Sequence, residues 1–75
     1  MSAAQRQTAL LAWLRKHDTQ YGRTVGDIFH GMLFEDPRVY DNGMGPHLER
    51  DLRKLERNGK VTRFDKRPFL WRADA

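Results

Sequence analysis

Residues His47–Val61 read HLERDLRKLERNGKV, and the rest of the chain takes its place around this segment. As a helix it puts Leu48, Leu52 and Leu55 at i, i+4 and i+7, one apolar stripe that needs a core to lie on. At about 100° per residue from Leu48, Arg53, Arg57, Arg50 and Lys54 fall near 140°, 180°, 200° and 240°. They stand opposite the leucines. Glu49 and Glu56 fall near 100° and 80°, and Asp51 near 300°, so the acids flank the stripe and the outward arc is purely basic. On the flank, Glu49 can pair with Arg53 and Glu56 with Lys60. The arc is then either a solvated face or a surface for an anionic partner.

A chain of 75 residues makes one domain with little room for an enclosed active site. Hydrophobic residues at 39% with charge at 32% fit a small globular protein rather than a disordered one. Cysteine is absent, so neither disulfides nor a thiolate zinc site can staple the fold. No apolar run approaches membrane-spanning length and no signal-peptide pattern opens the chain, so the default expectation is a cytoplasmic protein, nucleoid-associated if bacterial. The net charge of +4 is unevenly spread. Residues 1–46 hold five bases and five acids, whereas residues 47–72 hold nine bases against four acids. Ten of the fourteen bases are arginine, whose planar fork suits phosphates and guanine edges.

Upstream, Ser2 and Gln5 have the spacing of a capping box ahead of Leu10, Leu11, Trp13 and Leu14, which predicts a helix over about 3–17. Thr24 with Asp27 predicts a second start, and Val25, Ile28, Phe29, Met32 and Leu33 give that helix, about 25–34, a broad apolar face. Gly26 and Gly31 weaken it unless close packing uses them. The stretch EDPRVYDNGMG over 35–45 reads as a loop, with Val39 and Tyr40 pinning it to the core. Pro46 suits the first residue of a third helix, about 46–58, and Gly59 suits its left-handed end. After it, Val61–Phe64 and Phe69–Arg72 are rich in aromatic and β-branched residues around a polar turn at Asp65–Pro68, a β-hairpin over about 60–73 with a basic tip.

Three helices followed by a two-stranded hairpin, an α+β arrangement, resemble the winged helix-turn-helix superfamily of DNA-binding domains over nearly the whole chain. GPHLERDLRKLERNGKVTRF, residues 45–64, is similar to that superfamily's third helix running through glycine into the wing, and FLWR to its returning strand. The resemblance implies double-stranded DNA as partner, with helix 46–58 in the major groove and Arg50, Arg53, Lys54 and, more weakly, His47 near base edges. Arg57 would meet phosphate. Arg63, Lys66 and Arg67 would put the wing on the minor groove or backbone. Arg23 and Thr24, at the start of the second helix, would add a phosphate contact. The role implied is transcription regulation by a small regulator. Two departures matter. The second and third helices are separated by about ten residues rather than three or four, so Arg38 and Tyr40 become candidates for an extra contact. No terminal helix follows the wing, so specific binding calls for a homodimer, a tandem site or a protein partner.

Other chemistry finds little support. His17, His30 and His47 lack metal-ligand spacing, no catalytic motif is visible, and the expectation is no enzyme, no metal and no cofactor. Trp13, Phe29 and Phe34 are expected in the core, His30 on a helix surface, and Phe69 and Trp71 over the helices. The competing function is a protein-interaction winged helix, a small inhibitor or adaptor gripping an acidic partner through the same basic face.

Overall fold

Each helix starts where the chain can satisfy, or leave open, the four amide groups that no helix bonds for itself. The computed structural model describes residues 2–41, 43–64 and 66–74. Helix α1 spans Ala3–Lys16 and begins with a complete capping box, Ser2 Oγ accepting from the Gln5 amide at 3.2 Å and Gln5 Oε1 accepting from the Ser2 amide at 2.9 Å. Helix α2 spans Val25–Glu35 and is capped by Thr24, whose Oγ1 accepts from the Asp27 amide at 3.1 Å. Helix α3 spans Gly45–Arg57, one residue earlier than expected, so Pro46 is its second residue. At its far end Gly59 has φ +74°, and the amides of Gly59 and Lys60 bond back to Glu56 and Leu55 at 3.0 and 2.9 Å. That pair of bonds is the left-handed stop the sequence predicts.

Strands β1, Val61–Phe64, and β2, Leu70–Ala73, form an antiparallel hairpin in which Val61 faces Ala73 and Phe64 faces Leu70. Trp71 also exchanges two backbone bonds with Arg23, at 2.8 and 3.0 Å, so the segment before α2 adds a third, one-residue rung. The α–α–α–β–β order is a small α+β fold with the layout of a winged helix.

The core lies where α1, α3 and β2 meet, with α2 closing one side. It consists chiefly of Leu10, Trp13, Leu14, Ile28, Met32, Val39, Tyr40, Leu48, Leu52, Leu55, Val61 and Trp71. Phe29 and Phe69 pack on its margin, and His30 is exposed. Gly31 is where α2 presses on α1: a Cβ there would stand 2.2 Å from the Trp13 ring. Close packing therefore uses Gly31, while a Cβ at Gly26 would meet only Thr24 Oγ1, at an ordinary 3.8 Å.

Four expectations need correcting. Phe34 is 90% exposed, because it lies about 200° around α2 from Met32 and so points away from the core. Tyr40 is fully buried and cannot serve as a surface contact, although it does pin the loop as Val39 does. Asp51, placed on the flank of α3, is 3% exposed, because donors from α1 and the 36–44 connection surround it. Glu56 pairs with Arg63 at 3.2 Å rather than with Lys60. The turn residues Asn42 and Asp65 lie outside the described residues. Among the described residues, no helix is long and apolar enough to cross a membrane.

Candidate nucleic-acid interface

The leucine stripe fixes which side of α3 faces out. With Leu48, Leu52 and Leu55 buried, His47, Arg50, Arg53, Lys54 and Arg57 are all exposed on the opposite side. Arg53 bonds Glu49 at 3.4 Å, one turn away. Among the described residues Arg50, Lys54 and Arg57 have no carboxylate partner. A shallow groove of about 300 Å³, lined by Pro46, Glu49, Arg50 and Arg53, runs along the first half of this face. The start of α3 differs from the other two helix starts in that Met44 gives no side-chain cap, and, as in α1, no acid stands in the first turn. The positive end of the helix is thus left uncompensated beside the basic arc.

In the hairpin, Lys66 and Arg67 are exposed in the turn. Arg63 is not with them. It sits inside β1 opposite Trp71, its Nε 3.2 Å from Glu56 Oε2 and its guanidinium 4.4 Å from the centre of the Phe69 ring. That arginine ties the wing to the last turn of α3, through an ion pair and a cation–π contact. Arg23 is likewise absorbed by the fold, its Nε donating to the His17 carbonyl at 3.2 Å while its backbone bridges Trp71. Thr24 is occupied as the α2 cap, with Asp27 already at that helix's positive end. The structure therefore brings together the α3 arc and sets the hairpin tip apart as a second basic point. It turns Arg63, Arg23 and Thr24 inward to structural partners.

No family model, curated protein or solved structure matches this chain.

Away from α3 and the hairpin turn, most cations have partners. Arg6 bonds Asp51 at 3.0 Å, Lys16 bonds Glu35 at 3.4 Å, Arg38 bonds Asp36 at 3.1 Å, and Arg72 forks onto Asp18 at 3.1 and 2.8 Å. The bond from Arg72 holds the Asp18 carboxyl below its ordinary range, and Arg38 does the same for Asp36. Burial works against ionisation of Glu35, but His17 at 2.9 Å and Lys16 outweigh it and leave that carboxyl lowered. Arg15, Arg23 and Lys60 are the remaining bases without a carboxylate partner among the described residues, Arg23 donating to a backbone carbonyl instead. So five of the partnerless cations, Arg50, Lys54, Arg57, Lys66 and Arg67, coincide with the arc and the tip.

Sequence reading missed one polar centre. Asp51 Oδ2 accepts from the Tyr40 hydroxyl at 2.5 Å and from Arg6 Nε at 3.0 Å, and Oδ1 accepts from Gln7 Nε2 at 3.3 Å. The Asp51 bond raises the Arg6 pKa. Burial, reinforced by Asp51, raises the Tyr40 phenol well above its ordinary value. The only local signal was an acid lying between Leu48 and Leu52 on the edge of the stripe.

Among the described residues no group of three or more His, Cys, Asp or Glu side chains is arranged to hold a metal ion.

Proposed function

We propose that this protein is a winged helix-turn-helix DNA-binding domain that prefers particular double-stranded sequences and acts as a small transcriptional regulator. The observation that carries this reading is the division among its cations: those of α1 and the 36–44 connection are mostly spent on acids, while, among the described residues, Arg50, Lys54 and Arg57 stand on one exposed helix face without a carboxylate partner. Exposed cations held apart from acids repel one another, and a polyanion relieves that repulsion while releasing its own counterions.

In this reading α3 enters the major groove with its uncapped first turn leading. Arg50, Arg53 and Lys54 reach base edges or adjacent phosphates, with His47 beside them, and Arg57 holds a phosphate further along. Glu49 shares the groove with Arg50 and Arg53, and a carboxylate there can accept from a cytosine amino group. Lys66 and Arg67 rest on the backbone or the minor groove. Arg63, Arg23 and Thr24 serve the fold instead. A single module covers only about 600–1,000 Å² of DNA, so tight specific binding calls for two copies on adjacent half-sites or a partner protein.

Selection from a random duplex library tests the reading. A consensus that Arg50→Glu/Lys54→Glu no longer enriches supports it. Failure to enrich any sequence, together with capture of the wild-type protein by an acidic polypeptide, points to the protein-interaction alternative.

A further inference from the structure

The apolar stripe of α3 tells the helix which side to bury but constrains its rotation weakly, because hydrophobic burial has no direction. Direction comes from Asp51. Its side chain is 4% exposed and both of its oxygens are used, by Arg6 and Gln7 from α1 and by Tyr40 from the connection between α2 and α3. A carboxylate held from two separate elements cannot follow a rotation of its helix without stretching one set of bonds. Burying such a group is costly, and an apolar residue of the same size commonly serves stability as well or better. What the polar arrangement adds is geometry.

We propose that Tyr40 and Arg6, acting through Asp51, are positioning residues that fix the roll of α3 about its own axis and so aim its basic arc; the consequence for DNA rests on the reading above. Asp51 is the next residue after Arg50 and one turn before Lys54, so the side chains it aims are those expected nearest the bases. At a side-chain radius of about 6 Å, a roll of about 10° moves them by about 1 Å. That displacement exceeds the tolerance of a base-edge hydrogen bond. A flexible lysine or arginine on a phosphate can follow it. Loss of the clamp therefore lowers discrimination between sequences while leaving the electrostatic, sequence-independent part of binding in place.

The test uses Tyr40→Phe, which keeps the ring and deletes only the hydroxyl, with Gln7→Met as a milder second variant. Two readouts are taken on the folded proteins. Residual dipolar couplings give the orientation of α3 relative to α1 without DNA, and competition titrations give affinity for the selected duplex against a single-base variant of it at several salt concentrations. The expected result is a measurable rotation of α3, larger for Tyr40→Phe than for Gln7→Met, with discrimination falling roughly tenfold and the salt slope unchanged. An unrotated α3 in both variants overturns the proposal whether or not the protein binds DNA. Equal weakening on both duplexes overturns it too, since that is what loss of folded protein alone would give. A rotated α3 in a protein that binds no duplex at low salt upholds the positioning role and removes the DNA reading instead.

Discussion

Arg63 and Arg67 stand four residues apart in one hairpin and do different work. Arg63 lies within β1, shares its charge with Glu56 and stacks on Phe69, whereas Arg67 lies in the exposed turn. The same contrast runs through the molecule. Arg6, Lys16, Arg38 and Arg72 each end on a carboxylate, while Arg50, Lys54 and Arg57 of α3 end in solvent. The lesson is that the number of bases in the C-terminal half is a weaker guide than what each is bound to. A count would rank Arg63 with Arg67, and its partners Glu56 and Phe69 set the two apart.

Reversing charges on the two sides should break this contrast most sharply. Arg50→Glu/Lys54→Glu is expected to lower duplex affinity at least about a hundredfold in fluorescence anisotropy with an unchanged helical circular-dichroism signal, because attraction becomes repulsion at the groove. Lys16→Glu, on the paired side, should change affinity by no more than about threefold. Comparable losses from both would show that only net charge matters, and the arc would lose its special standing.

Stability should respond in the opposite places. Arg6→Met leaves the buried Asp51 carboxylate without its charged partner and should cost about 2 kcal/mol at pH 7 by urea denaturation. Arg50→Met and Arg57→Met should cost less than about 0.5 kcal/mol, as surface substitutions away from special features do. A third comparison stays within the hairpin. Lys66→Ala/Arg67→Ala should flatten the dependence of log affinity on log salt by about one unit per lost phosphate contact, and Arg63→Ala should leave the slope alone while lowering the thermal midpoint. An unaltered slope in the first variant would take the wing off the DNA.

Much of this was readable before any coordinates, and what was not readable has a common cause. Ser2, Thr24 and Gly59 are local signals, each acting within three or four residues, and helix ends fell within about a residue of where they point. The leucine stripe and the opposing arc of α3 are equally local. The Asp51 centre is not, since it joins residues 45 and 11 positions apart in the chain. The surroundings of Arg63 belong to the same class: its place in the strand Val61–Phe64 is legible, but its pairing with Glu56 and its stacking on Phe69 depend on how the hairpin folds back on α3. Phe34 shows the converse, where hydrophobic character suggested the core and helical phase put it outside.

The smallest expected effect concerns the surface pair Asp18–Arg72. Its pKa lowered by Arg72, Asp18 contributes stability that is present above the ordinary carboxylate range and lost as pH falls through its folded-state value. Asp18→Asn should therefore melt slightly below wild type at pH 7 and level with it near pH 2. A gap that persisted in acid would mean that Asp18 acts through something other than its charge.

The central claim is that the exposed cations Arg50, Lys54, Arg57, Lys66 and Arg67 meet the phosphates of a duplex. It is tested most directly by fluorescence-anisotropy titration of a labelled random-sequence duplex across a salt series, with an acidic polypeptide of matched charge as competitor. Five engaged cations predict binding in the micromolar range at low salt with a log–log slope of about −4 to −5, poorly competed by the polypeptide. No binding at low salt, or a slope near zero, would contradict the claim and assign the basic face of α3 to a different partner.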